Sequence, residues 1–324
     1  MASIHGARAS NSVNLLLMAG LAAFAAGTAG AEPWQPAPGV VQRAVWPANA
    51  TIARPDVAGD EVVKVSPGKT GARGMTEVDN VTRPTFTIYP AKGHNTGATV
   101  VVFPGGGYKI LAIDLEGTEV CDWATTKGMT CVVLKYRVPD GGPHWDEHCN
   151  CQKAPAVPMA LQDAQRTISI LRHQARALHI DPHKIGVLGF SAGGHLVADV
   201  STHRDRAYTP IDAADREDFR PDFAIPLYPG HMWSGDAGDL TLKRVTAPNA
   251  RTPPTLILQA EDDPVDDVRN SVTYFLALKA ANIPAEMHIY AHGGHAFGLR
   301  PTGNPITHWP SLAETWLHTI GMIP

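Results

Sequence analysis

The stretch Lys184-Ile-Gly-Val-Leu-Gly-Phe-Ser-Ala-Gly-Gly-His-Leu-Val-Ala198 carries the most structural information in the chain. Its first six residues are a short, nearly continuous apolar run, the pattern of a strand covered on both faces. Gly189-Phe190-Ser191-Ala192-Gly193 follows, and then a helix-forming segment. This is G-x-S-x-G in a strand–turn–helix context. A sharp turn there lifts the Ser191 hydroxyl above the sheet edge. Neighbouring chain passes so close that side chains at 189 and 193 would clash. The following helix turns its N-terminus to the serine, where negative charge is favoured. A bare G-x-S-x-G arises by chance; its placement between a buried strand and a helix makes Ser191 a candidate nucleophile.

Outward from this stretch, β-rich runs alternate with helical ones. Strands are predicted at Glu61–Val65, Thr85–Tyr89, Thr99–Phe103, Thr130–Tyr136, Lys184–Gly189, Asp222–Tyr228, Thr255–Ala260 and Glu286–Tyr290. Leu161, Ala164, Ile168, Leu171, Ala175 and Leu178 share one helical face, and Asp181-Pro182 closes that helix. Further helices are predicted over Asp267–Ala281 and Pro310–Ile320. The alternation implies an α/β fold: a mostly parallel sheet of about eight strands with helices on both faces. Residues 139–158 and 229–254 form long irregular loops suited to walling a site.

The chemistry needs more than a serine. Phe103-Pro104-Gly105-Gly106-Gly107-Tyr108 follows the most apolar strand, and its glycines let backbone amides approach a substrate. Gly106 and Gly107, with the Ala192 amide after the nucleophile, are the candidate donors of an oxyanion hole. A phosphate loop would need G-x-G-x-x-G or G-K-[ST], and neither is present. A serine also needs a base and an orienting carboxylate, supplied here in the order Ser, acid, His. Glu261-Asp262-Asp263-Pro264-Val265-Asp266-Asp267 lies just past one strand end, and Ala291-His292-Gly293-Gly294-His295-Ala296-Phe297-Gly298 past another. His295, after two glycines, is the candidate base and His292 the weaker one. Asp266 or Asp267 is expected to cap the next helix, which leaves Asp262 or Asp263 for catalysis.

At these residues the chain resembles the α/β-hydrolase superfamily, and within it a bacterial group of acetyl xylan esterase-like, carbohydrate esterase-like proteins. The resemblance runs from about Thr85 to Ile320. It includes the PGGGY loop, Lys135-Tyr136-Arg137-Val138-Pro139, the elbow, Ala260-Glu261-Asp262-Asp263-Pro264-Val265 and Gly293-Gly294-His295-Ala296-Phe297-Gly298. It implies an α/β-hydrolase fold and a Ser191, Asp262, His295 triad, with Asp262 opening the family's Asp-x-x-Val pattern and Asp263 the alternative. It further implies a serine esterase acting on short acyl, above all acetyl, groups of carbohydrate such as xylan, with no cofactor. Rival readings are a broad carboxylesterase or small amide hydrolase on the same triad, and a non-catalytic binding protein on the same fold. The chain departs from the family pattern at Pro104, where relatives in the wider superfamily carry His, at Ala296, where Gly is expected, and in the length of the loop after Arg137.

Other features bound the setting. The chain has 324 residues, 44% hydrophobic and 18% charged, with a formal net charge of -4. That leaves no basic footprint for nucleic acid. Arg8 is the one charged residue before Glu32, an apolar run spans Val13–Ala29, and Ala29-Gly30-Ala31 has small residues at its ends. These are the three parts of a secretory signal peptide. Residues 1–31 are so read, against an uncleaved membrane anchor. The expected setting is secreted or periplasmic, with no membrane contact after cleavage. Residues 32–55 read as an extended lead-in and 56–324 as one catalytic domain. Cys121 and Cys131 read as buried free thiols; Cys149 and Cys151 sit in a loop, where a bridge is more plausible, and the pairing stays open. His144 to Cys151 gathers possible metal ligands, but matches no zinc spacing, so no metal is expected. Tyr108, Trp145 and Trp233 are candidates to stack on a sugar or to fill the core. His195 reads as a packing or hydrogen-bonding residue.

Overall fold

The computed structural model describes residues 1–2, 32–67, 73–139, 145–146, 151–152, 158–235, 239–243 and 246–324. The chain separates into Met1–Gly30 and Ala31–Pro324, and every strand and helix below belongs to the second unit. The signal-peptide expectation therefore falls almost wholly outside the described residues.

Among the described residues there are thirteen strands and six α-helices. The strands are β1 (Gln42–Ala44), β2 (Val62–Ser66), β3 (Met75–Asp79), β4 (Thr85–Tyr89), β5 (Thr99–Phe103), β6 (Ile110–Ala112), β7 (Thr130–Lys135), β8 (Trp145–Asp146), β9 (Cys151–Gln152), β10 (Ile185–Phe190), β11 (Ala224–Leu227), β12 (Thr255–Ala260) and β13 (Ala285–Tyr290). The helices are α1 (Glu119–Thr126), α2 (Met159–His173), α3 (Ala175–Leu178), α4 (Ala192–Thr202), α5 (Arg269–Ala280) and α6 (Trp309–Thr319). Eight strands make the main sheet in the order β1-β4-β7-β5-β10-β11-β12-β13. The six strands from β7 to β13 run parallel, and β1 and β4 are antiparallel to their neighbours. β5, β7, β10, β11 and β12 are buried along their whole length, as a sheet covered on both faces requires.

Three expectations change here. The predicted strand Glu61–Val65 forms as β2 but stands outside the main sheet: β2 pairs with β3, and β3 with β6, in a separate three-stranded antiparallel sheet. The main sheet's eighth strand is β1, inside the expected lead-in, paired with β4 through Gln42↔Thr87 and Ala44↔Thr85. A three-residue strand is too short to show a period. The predicted helix through Leu178 also breaks at Gln174 into α2 and α3, and His179 ends α3 in the left-handed region at φ 54°.

A buried ion pair ties the lead-in to the sheet. Arg137, just beyond β7, is fully buried and pairs with Asp163 of α2 at 2.8 Å. Its guanidinium also donates to the carbonyls of Ala53 at 2.6 Å and Met159 at 3.0 Å, while Trp46 Nε1 donates to Asp163 at 2.6 Å. Removing one partner of such a pair leaves an uncompensated buried charge. Asp163→Ala is therefore expected to cost about 3–5 kcal/mol, read as a lower urea midpoint at neutral pH.

Cys121 and Cys131 are bonded to each other, not free thiols. α1 lays its buried face on β7, and the two Cα atoms lie 5.2 Å apart, within the span of a disulfide. The side chains of Cys149 and Cys151 lie outside the described residues. Among the described residues no helix is long and apolar enough to cross a membrane.

Candidate active site

Parallel strands end at one edge, and that edge gathers the functional loops. Gly189 of β10 pairs with Phe103 of β5, so the elbow and the glycine loop leave the sheet side by side. Ser191 takes φ 51° and ψ −118°, a strained turn that brings its hydroxyl up. The clash expected at the flanking glycines is present: a Cβ on Gly193 would come within 2.0 Å of the Phe103 carbonyl, and one on Gly189 within 2.3 Å of the Gly193 carbonyl. The Ser191 amide is taken by Leu227 O at 3.0 Å. Ala192 heads α4, where a first-turn amide has no partner in the helix.

The glycine loop is held by residues that sequence reasoning missed. Glu116, in the π-helical turn Asp114–Thr118, is buried. It accepts the Gly105 amide at 2.8 Å and the Tyr228 hydroxyl at 2.8 Å. This uses the Gly105 amide and leaves Gly106 and Gly107 at the bend, at φ 134° and 62°. Tyr136 donates to Pro104 O at 2.6 Å, which engages the position where relatives carry His. Burial pushes the Glu116 carboxyl up, opposed by the Tyr228 hydrogen bond, the His295 charge and the Gly105 amide. No period or motif marks Glu116 or Tyr228; only the fold brings them together.

His295 lies in the loop after β13, and its Nδ1 is 2.8 Å from Oδ2 of Asp263. Asp263 thus takes the position expected of Asp262. Asp262 turns outward, its side chain 39% exposed, and its Oδ1 accepts the amides of Gly293 at 2.9 Å and Gly294 at 2.8 Å. In the turn after β12, one carboxylate thus meets the neighbouring loop backbone and the next the imidazole. The Gly294 and Gly293 amides and His292 hold the Asp262 carboxyl below its ordinary value. His292 itself is 75% exposed. Ala296, where Gly was expected, sits at φ 57°, the region that favours glycine.

The acidic run holds a second surprise. The N-cap position of α5 is Val268, with no side-chain cap, and Asp267 just before it accepts the Arg269 amide at 2.8 Å. Asp266 instead turns inward, and Ser191 Oγ donates to its Oδ2 at 3.0 Å. Burial pushes the Asp266 carboxyl up to about 6, opposed by the His295 charge. For His295, burial disfavours the charged ring, but the Asp263 hydrogen bond and the charges of Asp266, Asp263 and Glu116 outweigh it, and the net direction is up.

The expected substrate contacts fare differently. Tyr108 is buried, and its hydroxyl bonds His195 Nδ1 at 2.7 Å; it does not face outward to stack on a sugar. Trp233 is half-buried with the Arg269 guanidinium 3.8 Å over its ring. His195 is a buried packing and hydrogen-bonding residue, and burial holds it well below the usual histidine range. Among the described residues no group of three or more His, Cys, Asp and Glu is placed to hold a metal. Most of His144 to Cys151, with the side chain of Trp145, lies outside the described residues.

A doubly covered parallel sheet, a strained serine elbow and an Asp–His pair at its edge together define the α/β-hydrolase class. A family model described as BD-FAE matches residues 88–218. The solved acetyl ester-xyloside bifunctional hydrolase of Caldicellulosiruptor lactoaceticus is 33% identical, with a TM-score of 0.63 over 75% of this chain and 90% of that one. The acetylxylan esterase of Xylanibacter ruminicola is 30% identical over 225 residues, 63% of this chain and 42% of that protein. Endo-1,4-beta-xylanase B of Butyrivibrio fibrisolvens is 28% identical over 214 residues, 60% of this chain and 32% of that protein. The chain thus spans less than half the length of these two relatives. It belongs to the acetyl xylan esterase-like group of the α/β-hydrolase superfamily.

Proposed function

We propose that the chain is a serine esterase that releases short acyl groups, above all acetyl, from carbohydrate such as acetylated xylan. The observation that carries the reading is Asp263 bonded to His295 beside the Ser191 elbow. Ser191 Oγ attacks the ester carbonyl while its proton passes to His295 Nε2, and Asp263 holds the ring in the tautomer that leaves Nε2 free. The amides of Gly106, Gly107 and Ala192 receive the oxyanion; in such sites one donor is worth about 3 kcal/mol of barrier. His295 then protonates the leaving sugar oxygen. Water attacks the acyl-serine, and acetate leaves.

The substrate rests on the relatives named above, two of which carry acetyl ester or acetylxylan in their names. The small-residue and apolar pattern of residues 1–31 supports export to the periplasm or beyond. The Cys121–Cys131 bond supports an oxidising compartment. Acetate release is the test, measured on acetylated xylan and on p-nitrophenyl acetate. Release from both is expected. Turnover of p-nitrophenyl acetate alone would favour a general carboxylesterase, and failure of a fluorophosphonate to label Ser191 would favour a non-catalytic protein on this fold.

A further inference from the structure

The nucleophile has a partner that a serine triad does not require. Ser191 Oγ donates to Asp266 Oδ2 at 3.0 Å, and the same oxygen lies 3.9 Å from His295 Nε2. The hydroxyl proton therefore points at a carboxylate that sits beside the nitrogen meant to receive it.

The seat of this carboxylate is built. The Asp266 side chain is 3% exposed. Gly230 makes the room, because a Cβ there would lie 2.4 Å from Oδ1. Asp263 Oδ1 accepts the Asp266 amide at 3.0 Å. Gln259 Nε2 reaches the Asp266 carbonyl at 3.1 Å and Asp263 Oδ2 at 3.2 Å. One buried amide side chain thus braces both acids around one imidazole.

We propose that Asp266 is a positioning residue of the reaction, holding the Ser191 hydroxyl beside His295 and, as a second negative charge against the ring, setting the lowest pH at which His295 acts as a base. The proposal rests on the serine–histidine reading above. The groups facing His295 are Asp263 and Asp266 from the β12 loop, Glu116 from the turn before α1, Tyr228 from the end of β11 and Ser191 from the elbow. Three of the five are carboxyls, and each carboxylate charge favours imidazolium. In the forward step Oγ turns from Oδ2 to Nε2, the proton moves to Nε2 as the O–C bond forms, and Asp266 then faces the new positive charge. The sign follows. A neutral residue at 266 removes one stabiliser of imidazolium, so His295 loses its proton at lower pH and the acid limb of activity moves down.

The test is the pH dependence of kcat/KM for p-nitrophenyl acetate in wild type and Asp266→Asn, with fluorophosphonate labelling of Ser191 in both. The acid-side midpoint is expected to fall by about one unit, from the loss of a facing charge. A labelled, active Asp266→Asn enzyme whose midpoint is unmoved or raised overturns the proposal alone; a wild type that is neither labelled nor active overturns the reading beneath it. Asp266→Ser, smaller and also neutral, makes the same comparison should Asp266→Asn not fold. A wild-type midpoint below about 6.5, the ordinary histidine value, overturns the proposal without any variant.

Discussion

Ser191→Ala is expected to lower kcat on p-nitrophenyl acetate by about a million-fold, the scale seen when such a nucleophile is removed. The size of the effect comes from what cannot be replaced. No other hydroxyl sits on the elbow between β10 and α4, where position 191 takes the strained φ of 51°. What survives is the residual contribution of binding and of oxyanion donors, about 10³–10⁴ over water. The fold should be retained, because alanine meets the same backbone strain as serine and the glycines on either side stay in place. Loss of fluorophosphonate labelling with an unchanged unfolding midpoint is the expected pair of results. More than about one per cent residual kcat, far above the scale expected for this loss, would remove Ser191 from the role of nucleophile.

The sequence made the sheet, the elbow and the two loops legible because each has a local signature. TVVVF is apolar throughout, G-x-S-x-G bends where a strand meets a helix, and the Asp and His clusters follow their strands directly. The misses share one cause: they depend on side-chain direction or on distant pairing. Asp262 and Asp263 are neighbours of the same chemistry, and only their orientation past β12 separates the residue that pins Gly293 and Gly294 from the one that meets His295. Glu116 stands 112 residues from Tyr228, its hydrogen-bond partner. Strand β1 has three residues and no period. The Cys121–Cys131 bond needed the packing of α1 on β7, which no spacing rule supplies. For Tyr108 the sequence leaves sugar stacking and core filling equally open, and burial beside His195 decides for the core.

Asp263→Asn should reduce kcat/KM by about 10⁴, whereas Asp262→Asn should stay within about tenfold of wild type; the first figure is the loss found when the triad acid is replaced by its amide. At 263 the amide can turn an N–H toward Nδ1, which stabilises the wrong tautomer, and the imidazolium loses its closest counter-charge, now 2.8 Å away. The backbone bonds of Asp263 can persist, since the Val265 and Asp266 amides both use Oδ1. At 262 the two loop amides also share Oδ1, so asparagine keeps both bonds, and the side chain has no contact with His295. Measuring both variants on one substrate separates a catalytic role from a merely structural one at adjacent positions. The assignment fails should Asp262→Asn be the more damaged, because the carboxylate that matters would then be the one facing solvent.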